Sequence, residues 1–140
     1  MAKFTKLKVL NLSFNSIRKI EFIPPNLEEL YLNGNEINEV ALSAHRPIGS
    51  LLHLGLSMNR IRQTALTQIV KGFPNLFCLD ISFNDLNDME NTLVWCSRLS
   101  SLKMIALEGN PLVLTRNYKR VIIERLPGLK VLDGNTMFAE

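Results

Sequence analysis

Five asparagines, Asn15, Asn35, Asn59, Asn84 and Asn110, each close the same short phrase: LKVLNLSFN, LEELYLNGN, LLHLGLSMN, LFCLDISFN and LKMIALEGN. Every phrase fits L-x-x-L-x-L-x-x-N, with Ile17, Ile37, Ile61, Leu86 or Leu112 two residues further on. The leading leucines, Leu7, Leu27, Leu51, Leu76 and Leu102, step by 20, 24, 25 and 26 residues. One phrase would carry little weight, because leucine and asparagine are common. Five in register at such a period define a solenoid, whose coils cannot bury their apolar sides alone and must stack. Function in a chain of this kind resides on an extended surface rather than in a closed pocket.

Each phrase reads as a short strand and a turn. Side chains alternate along a strand, so Leu10 and Leu12 are expected in the core, with Val9 and Asn11 outside. The asparagine turns the chain away from the sheet. Its side chain both donates and accepts, so stacked asparagines are expected to satisfy the turns of their own and neighbouring coils. The return segments differ. After the first phrase, Pro24 and Pro25 exclude helix and favour an extended path. Later returns have helical spacing: Ala65, Leu66, Ile69 and Val70 in one, with Thr64 as a cap and Gly72 as a stop, and Met89, Leu93, Val94 and Leu99 in the next.

The chain has 140 residues, of which 46% are hydrophobic, enough for one domain with a substantial core. We read residues 1–140 as a single domain, with repeats over 1–112 and a closing segment over 113–140. The first strand follows MAKFTK directly, and the chain stops soon after the closing segment. We therefore expect a piece of a longer protein, a short isoform, or an N-terminal end covered by a partner. No run reaches the ~18 apolar residues of a membrane helix, so no membrane partner is expected. A net charge of +3, with Lys and Arg interspersed among Asp and Glu, reads as a solvated surface before a nucleic-acid platform. Two cysteines, Cys78 and Cys96, without a terminal cluster favour a reducing compartment.

The phrases resemble the intracellular leucine-rich-repeat family with repeats near 22 residues, over nearly the whole chain. The end GNPLVLTRNYKRVIIERLPGLKVLDG is similar to that subfamily's C-terminal cap, G-N-P-L, then Y-R-x-x-V/I, then L-P-x-L-x-x-L-D. Asn110, Pro111 and Leu112 match its opening, and Tyr118, Val121 and Ile122 its helix. Leu126, Pro127, Leu129, Leu132 and Asp133 match its ending; Lys119 stands where arginine is commoner. Similar caps occur in axonemal dynein light chains, a U2 small nuclear ribonucleoprotein subunit, acidic nuclear phosphoproteins and tubulin-folding cofactors. The resemblance implies an α/β fold: a right-handed leucine-rich-repeat solenoid with a curved parallel sheet on its concave face and helices or extended returns on its convex face. It also implies a cytoplasmic interaction scaffold, first in ciliary or cytoskeletal assemblies, with a nuclear RNA-processing complex as the alternative.

Catalytic signatures are missing from the sequence: there is no phosphate loop, no G-x-S-x-G and no H-E-x-x-H. His45 and His53 lack further ligands at zinc spacing, so no metal and no cofactor are expected. His53 and Cys78 occupy equivalent positions in adjacent coils, but no orienting group or oxyanion donor completes a nucleophile–base pair. An enzyme is not expected, although a regulatory domain of a larger enzyme remains the rival from another class. Three outward columns follow from the register. They run Lys8, Glu28, Leu52, Phe77, Lys103, Lys130; Val9, Glu29, His53, Cys78, Met104, Val131; and Asn11, Tyr31, Gly55, Asp80, Ala106, Asp133. Tyr31, Leu52, His53, Phe77, Cys78 and Met104 are expected to floor a groove for a peptide or helix of a partner protein. The basic cap residues Arg116, Lys119, Arg120, Arg125 and Lys130 read as a solvated helix rather than an RNA contact, since stacking aromatics other than Tyr118 are lacking.

Overall fold

The computed structural model describes residues 4–42 and 46–137. Each phrase forms one three-residue strand: β1 (Val9–Asn11), β3 (Glu29–Tyr31), β5 (His53–Gly55), β6 (Cys78–Asp80) and β7 (Met104–Ala106). The returns supply β2 (Lys19–Ile20), β4 (Glu39–Val40), α1 (Gln63–Gly72) and α2 (Met89–Cys96). A 3-10 turn (Pro111–Leu114), α3 (Tyr118–Arg125), β8 (Val131–Leu132) and β9 (Asn135–Thr136) close the end. The main sheet runs β1-β3-β5-β6-β7-β8-β9, with every pair parallel except the final β8–β9 hairpin. Behind it, β2 and β4 pair in parallel as a second small sheet.

The register stacks one apolar position through the whole body: Leu10, Leu30, Leu54, Leu79, Ile105 and Leu132 lie opposite one another in sequence. From Leu30 onward all are buried, as are Ile37, Ile61, Leu86 and Leu112 two residues past each asparagine. Full burial of each such side chain contributes about 1.5–3 kcal/mol, so the interior dominates stability. The first coil departs from expectation. Leu10 is only half-buried, and Leu12 is 39% exposed against 3% for Leu32, because no coil lies on the outer side of β1 among the described residues.

Four asparagines bind consecutive coils together. Asn59 is typical: its Nδ2 donates to the carbonyls of Leu32 at 2.9 Å and Leu56 at 3.1 Å, while its Oδ1 accepts the Ile37 amide at 2.9 Å. Asn35, Asn84 and Asn110 repeat the pattern, taking the amides of Ile17, Ile61 and Leu86. Asn15 is exposed and, among the described residues, donates only within its own coil, to Leu12 and Ser13.

Two local expectations need correcting. The N-cap position of α1 is Arg62 without a side-chain cap, and Thr64 lies inside the helix. Gln63 instead reaches across to α2, where its Nε2 meets Asn91 Oδ1 at 2.7 Å and its Oε1 accepts the Asp88 amide. In α2, Val94 faces solvent, and Thr92, Leu93 and Cys96 supply the buried face. Asp88 starts that helix by accepting the Asn91 amide at 2.9 Å. Trp95 lies on the same helix under Arg98, 4.3 Å away, and Lys71, 5.5 Å away.

The last coil ends differently from the first. Asp133, at φ 50°, turns β8 into β9, and its Oδ1 accepts the amides of Leu107 at 2.7 Å and Glu108 at 3.0 Å. The preceding amides of this kind, such as Leu56 and Ile81, go to a carbonyl of the next coil. A carboxylate thus takes the place of another strand, and Tyr118 donates to its second oxygen at 2.9 Å. Ile122, Leu126, Leu129 and Leu132 are buried beneath it, Val121 is half-buried and Pro127 is exposed. Glu90 and Arg125 join α2 to α3 through two contacts of 2.8 Å.

Asn59→Ala leaves the Ile37 amide without its partner and removes one of the two asparagine donors at the Leu32 and Leu56 carbonyls, so a loss of about 1–3 kcal/mol is expected in urea unfolding. Asn15→Ala should cost under about 1 kcal/mol, because its groups already face water.

Candidate functional site

The strand register sets the outward faces as well as the core. His53, Cys78 and Met104 pair in sequence across β5, β6 and β7, and Glu29 and Val131 continue the row at either end. Tyr31, Gly55, Asp80 and Ala106 form the next row. Leu52 and Phe77 precede their strands and are linked through the Phe77 amide and the Leu52 carbonyl at 2.8 Å. The six expected groove residues therefore share one face. Leu52 and Phe77 are each 40% exposed, and Tyr31, His53, Cys78 and Met104 are half-buried.

Local packing fixes the aromatic groups. His53 and Phe77 stand with ring centroids 6.0 Å apart, tilted by 46°. The Tyr31 ring runs beside Gly55, where an added Cβ would meet Tyr31 Cδ1 at 3.1 Å and the Asn33 amide at 3.0 Å. Glycine at this position leaves the ring its place against the floor. The Tyr31 hydroxyl donates to Glu29 Oε1 at 2.5 Å, which pushes its pKa up to about 12. Asp80 accepts from both the amide and the hydroxyl of Ser82.

The thiol on this face is disfavoured as a nucleophile. Burial first, and Asp80 second, raise the Cys78 thiol above its ordinary value, which disfavours the thiolate needed for attack on a substrate. Burial alone pushes Cys96 up to about 12. Among the described residues no three His, Cys, Asp or Glu side chains are placed to hold a metal; His45 lies outside the described residues. No helix among them is long and apolar enough to cross a membrane. Of the basic cap residues, Arg120 pairs with Glu124 at 3.6 Å and Arg125 with Glu90 at 2.8 Å, which reduces the positive field there.

The sheet has a further apolar feature that the outward columns did not include. The residue before each asparagine has a left-handed backbone: Phe14, Gly34, Met58, Phe83 and Gly109, with φ between 54° and 76°. Phe14, Met58 and Phe83 are 74%, 48% and 53% exposed. A Cβ on Gly34 would fall 2.5 Å from the Phe14 ring, and one on Gly109 would fall 2.3 Å from the Phe83 ring. Each phenylalanine thus lies over the glycine of the following coil. The signal is present in the phrases, since glycine and large apolar residues share one column, and glycine there marks positive φ.

Parallel single-strand coils, the interior leucine stack and the bridging asparagines define a leucine-rich-repeat protein. Residues 5–44 match the family model for leucine-rich repeats in two copies. Leucine-rich repeat-containing protein 43 of Homo sapiens is 39% identical over 142 residues, covering 98% of this chain and 22% of that protein. Its Mus musculus counterpart is 37% identical over 141 residues, covering 98% of this chain and 21% of that protein. The chain therefore spans about a fifth of the length of these relatives. A chain of the Drosophila melanogaster SNF/U2A' complex has the same fold, with a TM-score of 0.57 and 23% identity over 94% of this chain and 62% of that one.

The two tyrosines make the site's electrostatics measurable. Burial, followed by Asp133, holds the Tyr118 hydroxyl far above the ordinary phenol value, and the Glu29 bond holds Tyr31 near 12. In a spectrophotometric titration neither should ionise at pH 10, and Glu29→Gln should bring Tyr31 back toward 10 while leaving Tyr118 unchanged. A raised folded-state pKa stabilises the protein below the unfolded value of about 10. Stability should therefore fall as pH rises above 10, and less steeply in Tyr118→Phe.

Proposed function

We propose that this domain is a non-enzymatic scaffold that holds a partner protein against the concave face of its sheet. The observation that supports this most is the face itself: Tyr31, Leu52, His53, Phe77, Cys78 and Met104 side by side, apolar at the centre and only partly covered. Aromatic side chains held by neighbours lose little freedom on binding, and a patch of this composition suits an extended peptide or the apolar side of a helix. Nucleic acid is a poorer match, because the exposed cations are scattered and several are tied to carboxylates. No cofactor takes part in this reading.

The proposed setting is intracellular, in a ciliary or cytoskeletal assembly, on the resemblance of the repeats and cap. A nuclear RNA-processing complex is the second reading. It is favoured by the likeness to the mRNA export factor mex67 of Schizosaccharomyces pombe, which is 30% identical over 98 residues, 64% of this chain and 16% of that protein. The domain would then serve as the binding module of a larger protein, the regulatory module of an enzyme included.

Phe77→Ala and Tyr31→Ala should each weaken partner capture from cell extract by roughly tenfold, the scale of a central aromatic anchor, with thermal unfolding nearly unchanged. Capture should change little between low and moderate salt, whereas a nucleic-acid complex would weaken steeply. Full capture by both variants would reject the concave-face assignment.

A further inference from the structure

We infer that the row of left-handed residues beside the sheet is a second contact line, built to take a basic amphipathic helix of a partner protein. The inference rests on the reading of this side as the binding side. It concerns a different row of residues, however, and a partner of stated charge.

The backbone provides the first reason. Bulky side chains at positive φ carry a local cost, and Asn or Gly would relieve it at no loss to the turn. Gly34 and Gly109 hold the same position with the same conformation, so the turn does not require Phe14, Met58 or Phe83. Packing over glycine covers one side of each phenylalanine ring and leaves the ring well exposed. The apolar surface is thus retained where the fold alone would prefer something else.

Spacing provides the second. Strands in a sheet are about 4.8 Å apart, so Met58 and Phe83 are separated by about 5 Å and Phe14 and Met58 by about 10 Å. A helix lying along the row presents residues three apart at about 4.5 Å and seven apart at about 10.5 Å. Apolar residues at i, i+7 and i+10 would therefore meet Phe14, Met58 and Phe83 in order. The row is continuous with the sheet at its first-coil end, where Asn11, Ser13, Phe14, Tyr31 and Asn33 line a shallow hollow of about 540 Å³.

Charge fixes the partner's chemistry. Asp80 ends β6 three residues before Phe83 with its Oδ1 held by Ser82, the Glu108 carbonyl accepts the Phe83 amide, and Asp85 follows Phe83 by two residues. Among the described residues none of the three makes an ion pair. Of the cations nearest the row, Arg60 is drawn to Glu36 at 3.2 Å, and Arg62 stands two residues further on at the head of α1. Asp80, Asp85 and Glu108 therefore leave negative charge near the Phe83 end of the apolar crest, which favours lysine or arginine beside that part of the partner's apolar stripe.

The test uses a synthetic helical peptide about five turns long, with leucine at i, i+7 and i+10 and lysine on both flanks. A twin carries glutamate on the flanks. Fluorescence anisotropy is read on the wild-type chain, on Met58→Asn/Phe83→Asn, on Asp80→Asn/Glu108→Gln and on Phe77→Ala. Asparagine is chosen because it accepts the left-handed turn, and an unchanged unfolding temperature shows that the variants fold. The lysine peptide should bind at micromolar concentration, lose roughly tenfold in the crest double variant and about fivefold in the carboxylate double variant. The glutamate twin should bind at least tenfold more weakly. Equal binding of the two peptides, no binding of the lysine peptide, or binding indifferent to the crest substitutions would overturn the inference. A peptide lost from the crest variants yet retained by Phe77→Ala supports the crest whatever becomes of the sheet face, so the two readings fail separately.

Discussion

One side-chain amide joining two turns of backbone is the interaction on which this structure depends. At Asn35, Asn59, Asn84 and Asn110 the Nδ2 group serves carbonyls of its own coil and the coil before, while Oδ1 takes an amide of the coil before. Turning a chain sharply inside a stack would otherwise bury backbone groups without partners, at about 1–3 kcal/mol for each. Aspartate offers no donor and serine too short a reach, so the position is narrow in what it accepts. With the turn satisfied, the leucines above and below it are free to close the interior. Among the described residues, no buried side-chain nitrogen or oxygen lacks a hydrogen-bond partner.

The two ends of the stack show what that bridge requires. At the first coil Asn15 bridges nothing before it among the described residues, Leu12 is exposed, and the apolar side of the coil opens onto Ile17, Phe22 and Ile23. At the last coil the need is met by different chemistry. Asp133 accepts the Leu107 amide that another strand would have taken, together with the Glu108 amide beside it, Tyr118 steadies the carboxylate, and β9 runs antiparallel so that the parallel series stops. The acid and the phenol work as a pair because one oxygen is used for the backbone and the other for the hydroxyl.

Much of this was legible in the residues because a solenoid converts sequence period directly into position. Aligning five phrases predicts the parallel pairing and the rows that contain His53, Cys78 and Met104, since a three-residue strand leaves no freedom of register. The helical returns were legible from spacing, though not their caps: Gln63 prefers α2 to its own helix end, which only the neighbouring coil reveals. The β2–β4 pairing was hidden because two residues carry no periodicity. Phe14, Met58 and Phe83 fall outside the outward columns because inward and outward alternation ends where the strand ends. Leu12 was misplaced because the alternation rule assumes a neighbour on both sides.

A surface of this kind has consequences for function through rigidity. The aromatic groups on the sheet are held by a backbone whose every turn is tied to the next, so the binding proposed for this face would order little that is not already ordered. The central claim is that the bridging amides carry that rigidity. Native-state hydrogen exchange tests it at single residues: the amides of Ile37, Ile61 and Leu86 should exchange only through near-global unfolding, with that of Ile17 in the open first coil exchanging sooner. Exchange at Ile61 and Leu86 as fast as at an exposed turn amide would contradict the account.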